Sequence, residues 1–167
     1  IGNNIMKYCI LAMFSVGLLQ AHPTYTAYSG AAGSKGYCSS SCHGSASGGT
    51  ITMTGIPQMY VPLTTYTVTV KHSGGSTISN FNASSRVGVT TAAAGSFATG
   101  TNTALYSVAG YESGVRASVN NVDSAVFKWT APATGTGEVK IYLSGLQGTK
   151  SGASSKLIIS TMEFITG

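Results

Sequence analysis

Carboxylates are nearly missing from this chain: Glu112, Asp123, Glu138 and Glu163 are the only four in 167 residues. Acid–base catalysis needs titratable groups brought together, and these four are unpaired in sequence. No Gly-x-Ser-x-Gly elbow, glycine-rich phosphate loop or His-Glu-x-x-His helix compensates, so an enzyme is not expected. Charged residues of both signs make up 8% of the chain, against roughly 25% in an ordinary soluble protein. The nine Lys and Arg give a net charge of +5, but they are scattered singly. With no basic cluster or basic helix to follow a phosphate backbone, a nucleic-acid partner is not expected. There is no internal repeat, and long apolar runs are absent with one exception.

That exception is Tyr8 to Leu19, a run of twelve preceded by Met6-Lys7 and followed by Gln20-Ala21. It is shorter than the roughly 20 residues that span a bilayer. A positive residue, a short apolar run and a small residue are the three parts of a secretory signal peptide. Residues 1–21 are therefore assigned to a signal with cleavage after Ala21, the alternative being a buried N-terminal helix. The mature chain then has no stable membrane span and is expected to be secreted, at the surface or in the periplasm of a bacterium. Of the three cysteines, Cys9 leaves with the signal and Cys38 and Cys42 remain, in a compartment that permits disulfides.

What is abundant is glycine, with 22 residues, together with Ser, Thr, Val and Tyr. This composition favours short strands and many turns over helices. Thr65 to Lys71 is the clearest strand, with Tyr66, Val68 and Val70 on one face and threonines on the other. Ala125 to Thr130 places Phe127 and Trp129 on one face, and Glu138 to Leu143 does the same for Val139, Ile141 and Leu143. Thr50 to Thr54 also alternates, and Lys156 to Ile165 is apolar enough to close a core. Arg86 to Thr90 and Ser96 to Ala98 read as shorter strands, while Thr101 to Asn121 reads as a long polar loop carrying Tyr106 and Tyr111. Six to eight strands at this spacing predict an all-β fold, an antiparallel β-sandwich over residues 50–167.

Residues 22–49 stand apart. They hold six glycines and three tyrosines (Tyr25, Tyr28, Tyr37) and almost no aliphatic side chains. Such an irregular arm buries too little apolar surface to order itself. It needs a bound group for the tyrosines to pack on, or a covalent tie across the sandwich.

The arm contains the one chemically committed motif, Cys38-Ser39-Ser40-Ser41-Cys42-His43. Closely spaced cysteines followed at once by histidine are the signature of covalently held haem c, with Cys38 and Cys42 as thioethers and His43 as proximal iron ligand. Here three residues separate the cysteines instead of two. The same pair could instead close a small-loop disulfide, as exported cysteine pairs usually do. A zinc site is disfavoured, since no second ligand pair stands at a suitable spacing. For the distal iron ligand His72, at the end of the best strand, is preferred over His22, Met53, Met59 and Met162. Asn82-Ala83-Ser84 matches a glycosylation acceptor.

Three stretches, in order, resemble the choice-of-anchor V domain family, a Reeler-like sandwich of secreted bacterial proteins. They are Tyr28 to Gly33 leading into the Cys38–Gly44 motif, the strand from Tyr60-Val61-Pro62 to Val70, and Phe127 to Gly137 with its Trp-Thr-Ala-Pro core. The resemblance covers residues 22 to about 165. It implies a sandwich whose arm carries a haem-attachment motif, with Cys38, Cys42 and His43 in the attachment and proximal positions. The expectation that follows is an exported monohaem c-type cytochrome-like protein passing single electrons to a redox partner protein or an extracellular acceptor, with self-association open. The alternative is a non-redox surface or adhesion module with a Cys38–Cys42 disulfide.

Overall fold

A computed structural model describes residues 24–38, 49–149 and 151–165. Its strands are β1 (Thr50–Thr54), β2 (Met59–Tyr60), β3 (Thr65–Ser73), β4 (Ile78–Val87), β5 (Ser96–Thr99), β6 (Thr103–Ser107), β7 (Ser113–Ala117), β8 (Ser124–Thr130), β9 (Val139–Gln147) and β10 (Ser154–Glu163). They form a four-stranded sheet, β1-β3-β8-β5, and a six-stranded sheet, β2-β10-β9-β4-β7-β6. Every pairing is antiparallel except β10 with β2, where Met162 lies opposite Met59 and Glu163 opposite Tyr60. The expected β-sandwich is what the chain forms. The signal assignment, residues 1–21, lies outside the described residues.

Alternation decides which side of each strand meets the other sheet. β3 contributes Val68 and Val70, β8 contributes Ala125, Phe127 and Trp129, and β9 contributes Val139, Ile141 and Leu143, all fully buried. Trp129 anchors this core. Tyr60 meets it edge-on at 5.8 Å, Tyr66 stacks on it at 5.9 Å, and its indole N–H donates to the Ala94 carbonyl at 3.1 Å. Aromatic contacts of this kind are worth about 0.5–1.5 kcal/mol beyond the area they bury. Gly145 leaves room for a side chain of the facing sheet, since a Cβ there would come within 2.5 Å of Ile51 Cδ1.

Two elements differ from expectation. The stretch read as a polar loop, Thr101 to Asn121, contains the β6–β7 hairpin, with Leu105 opposite Val115 and Tyr106 opposite Gly114. Arg86 and Val87, read as the start of a short strand, are instead the end of the ten-residue β4, and Gly88 to Thr90 turn away from it. β4 hides because its outward side chains, Asn80, Asn82, Ser84 and Arg86, are polar yet buried.

At the far end of the six-stranded sheet a carboxylate organises a turn. Glu163 accepts hydrogen bonds from the backbone N–H of Gly135 and Gly137 at 2.8 and 3.0 Å. These bonds, that of Gly137 foremost, hold its carboxyl below the ordinary range, against a smaller opposing effect of burial. Tyr60 donates to the Gly137 carbonyl at 2.9 Å. Burial and then the nearby Glu163 charge push its hydroxyl pKa up.

Candidate functional site: the arm and the sheet face beneath it

Odd-numbered residues of β9 point into the sandwich, so Ser144 points outward, as do Asn82, Ser84 and Arg86 on β4. Residues 24–38 lie over this outer face. Their backbone is irregular, with one isolated bridge between Ser29 and Tyr37 and a Gly30 N–H to Gly36 carbonyl bond of 2.9 Å. The arm is fastened by the sheet's polar side chains. Asn82 donates to the Tyr25 carbonyl at 3.0 Å, Arg86 Nε donates to the Ala32 carbonyl at 3.0 Å, and the Cys38 N–H donates to Ser144 Oγ at 2.9 Å.

The centre of the clasp is Glu112, in the β6–β7 turn. Its carboxylate accepts from the Ser29 N–H (3.1 Å), Ser29 Oγ (2.6 Å), Tyr106 Oη (2.8 Å) and Arg86 Nη2 (3.2 Å). Arg86 is equally committed, since Nη1 also donates to Ser84 Oγ and the Ser85 carbonyl. The pair is almost wholly withdrawn from water, with side chains 2% and 0% exposed. A buried ion pair is tolerable when its remaining donors and acceptors are filled, as here. Burial, followed by the charge and hydrogen bond of Glu112, drives the Tyr106 hydroxyl pKa far upward. Tyr106 is therefore a fixed donor and not a titrating group.

The arm tyrosines are occupied by lysines. Lys35 Nζ stands 5.8 Å from the Tyr28 ring and 5.1 Å from that of Tyr111, and Lys156 Nζ stands 4.6 Å from Tyr37. Such contacts add about 0.5–1 kcal/mol each at exposed sites. The expectation that this segment requires a bound group or a covalent tie is thereby corrected for residues 24–38: buried hydrogen bonds and an ion pair supply the order that aliphatic burial could not.

Of the sequence-predicted site residues, Cys38 is described and is 8% exposed at the end of the arm. Cys42, His43 and His22 lie outside the described residues. His72 sits in the four-stranded sheet opposite Ile51, on the inward parity of Val68 and Val70. Its ring nitrogens face the Gly74 carbonyl at 3.2 Å and Asp123 Oδ1 at 3.4 Å. The six-stranded sheet therefore stands between His72 and Cys38. Met53 is core, 7% exposed. Met59 and Met162 are half-exposed neighbours at the β2–β10 edge. Ser144 lies opposite Lys156 on β10, and six residues of strand from there to Met162 correspond to about 20 Å.

Of the described candidates, none is brought to Cys38, and among the described residues no three His, Cys, Asp or Glu side chains cluster as a metal site. Among the described residues no haem site is assembled, and Cys42 and His43, on which the motif depends, lie outside them. Of the arm tyrosines expected to stack on a porphyrin, Tyr28 and Tyr37 lie against lysines. Nor does Asn82 suit glycosylation, being fully buried beneath the arm.

Sequence reasoning missed Glu112, Arg86 and Ser29. The signal was there only in outline: with four carboxylates in the chain, each is conspicuous, but Ser29 lies 83 residues from Glu112.

No protein-family model matches the chain and no curated protein matches it. Solved structures do. The Reelin-N domain of F-spondin is 22% identical, with 78% of this chain and 100% of that one covered at a TM-score of 0.58. A second structure, the human F-spondin reeler domain, is 21% identical over 72% of this chain and 91% of that one, with a TM-score of 0.56. Among the described residues no helix is long and apolar enough to cross a membrane. The chain is a Reeler-like β-sandwich in its fold.

Proposed function

We propose that this is an exported, non-redox and non-enzymatic surface or adhesion module, with Cys38 and Cys42 joined in a disulfide. The observation that carries this reading is the seated arm. Glu112, Arg86, Asn82 and Ser144 hold it against the sheet, and Cys38 arrives at its end already buried. A small disulfide loop after Cys38 asks nothing further of the sheet. The Reeler-like fold accords with a module of this kind, and the signal-like residues 1–21 with export.

The test is to export the chain in cells that also carry haem-maturation machinery, then to record its mass and its reduced-minus-oxidised absorption spectrum. The expected product is colourless and two hydrogens lighter than the fully reduced mature chain. A red protein that keeps its haem through denaturation, and loses it in a Cys38→Ser/Cys42→Ser variant, would overturn the proposal in favour of the cytochrome-like alternative.

A further inference from the structure

β5 and β6 are the terminal strands of the two sheets, and they lie near one another at one edge of the sandwich. A cleft of about 470 Å³ lies there, its walls including Gly95, Phe97, Leu105, Tyr106, Ser107 and Ser113. This falls within the range of roughly 300–1,000 Å³ typical of small-molecule sites, which are mostly apolar with a few placed polar groups. We propose that the cleft binds an uncharged, ring-sized aromatic molecule carrying one hydroxyl, of the phenol class. The inference is independent of the state of the cysteines, which lie on the arm.

Three observations select that chemistry. Phe97 presents one ring to the cleft and is itself held edge-on by Phe127 at 5.6 Å, 67° between planes, so the wall is a fixed aromatic surface. Leu105 has the inward parity of its partner Val115, which is fully buried, yet Leu105 remains 51% exposed. It is an apolar wall residue that a ligand would cover. No Lys, Arg, Asp or Glu lines the cleft, and the Glu112 carboxylate bonded to Tyr106 is otherwise occupied by Ser29 of the arm and by Arg86. A charged ligand would lose hydration without gaining a counter-charge. At the rim Ser113 donates to Ser107 Oγ at 2.8 Å, which leaves the Ser107 hydroxyl proton for an acceptor on the ligand.

The backbone around the cleft is built to stay as it is. Gly95 has φ +75°, and a Cβ there would come within 2.2 Å of the Thr130 carbonyl oxygen and 2.9 Å of the Trp129 indole nitrogen. The rim is therefore tied to the core tryptophan, and occupancy should register at Trp129.

The experiment titrates the exported, purified full chain with p-cresol, benzoate and benzylamine and follows backbone amide shifts by NMR. Expected are saturable p-cresol shifts at Gly95, Phe97, Leu105 to Ser107 and Ser113, and a shift of the Trp129 indole N–H. Binding of benzoate and benzylamine should be at least about tenfold weaker, which corresponds to about 1.4 kcal/mol. Leu105→Lys, at a half-exposed position that should fold normally, should weaken p-cresol binding by a similar factor while leaving amide shifts away from the cleft unchanged. A Ser107→Phe variant fills the rim and should block binding independently. The proposal is overturned if p-cresol fails to bind the parent, if its shifts map elsewhere, if benzoate or benzylamine binds as well, or if both variants bind p-cresol as the parent does.

Discussion

Replacing Glu112 by Ala tests whether the arm is held by a buried ion pair and not by surface adhesion. The carboxylate accepts four hydrogen bonds, and the side chain is 0% exposed. Removing it leaves Arg86 buried without a counter-charge, a change that costs about 3–5 kcal/mol in comparable pairs. The Ser29 N–H and Tyr106 hydroxyl also lose their acceptor, at about 1–3 kcal/mol for each group that stays buried. These terms share one network and do not add, so a loss of at least about 3 kcal/mol is expected. Against a total stability of about 5–15 kcal/mol this is large. Urea denaturation of parent and variant reads it directly, and hydrogen exchange at the Ser29 and Gly30 amides reports whether the arm has come off. A second arm of the experiment pairs Glu112→Leu with Arg86→Met. Exchanging both charges for apolar groups of similar size is often nearly neutral, so the double variant should recover much of the loss. A Glu112→Ala variant within about 1 kcal/mol of the parent, the ceiling for an exposed ion pair, would refute the reasoning.

Two further outcomes follow from the structure. Glu163 has its folded-state pKa depressed by the N–H groups of Gly137 and Gly135, so its contribution is present above the unfolded-state carboxylate value and is lost as pH falls through the lower folded-state value; Glu163→Gln should flatten that acid limb in denaturation midpoints measured against pH, and an unchanged limb would show that the turn does not depend on the charge. Trp129→Phe removes the donor to Ala94 and part of a fully buried ring, and is expected to cost about 1–3 kcal/mol, read by thermal denaturation; a variant as stable as the parent would mean that the core refills the space.

Legibility in the sequence followed how each strand divides its two faces. β3, β8 and β9 each place aliphatic or aromatic residues toward the partner sheet, and of the inward residues expected on them Val68, Val70, Phe127, Trp129, Val139, Ile141 and Leu143 are fully buried and Tyr66 is partly buried against the core. β4 escaped because its inward face has little apolar bulk, Phe81 followed by Ala83 and Ser85, while Asn82, Ser84 and Arg86 go outward into a second buried layer. β6 and β7 escaped because five-residue strands with Gly114 and Ser113 at the turn resemble a polar loop. In the candidate site the arm's separateness was visible from composition. Its fastening was not, because Ser29, Arg86 and Glu112 meet only through tertiary structure. The cysteine motif drew the reading toward a cofactor because it is local, and local patterns are what a sequence shows best.

The strand order of the four-stranded sheet has a consequence in time. Along β1-β3-β8-β5 no two neighbours are consecutive in the chain, and Thr65 must find Thr130 before β3 and β8 can pair. Chains dominated by such distant contacts fold slowly, in milliseconds to seconds, whereas hairpins close in about 1–10 μs. β6–β7 and β9–β10 are the available hairpins. The arm, which precedes all ten strands in the chain, can dock only once β4, β7 and β9 lie side by side. A segment that comes before the sandwich in the chain is thus the last to find its place, and until then its tyrosines and Cys38 stay open to whatever surrounds them.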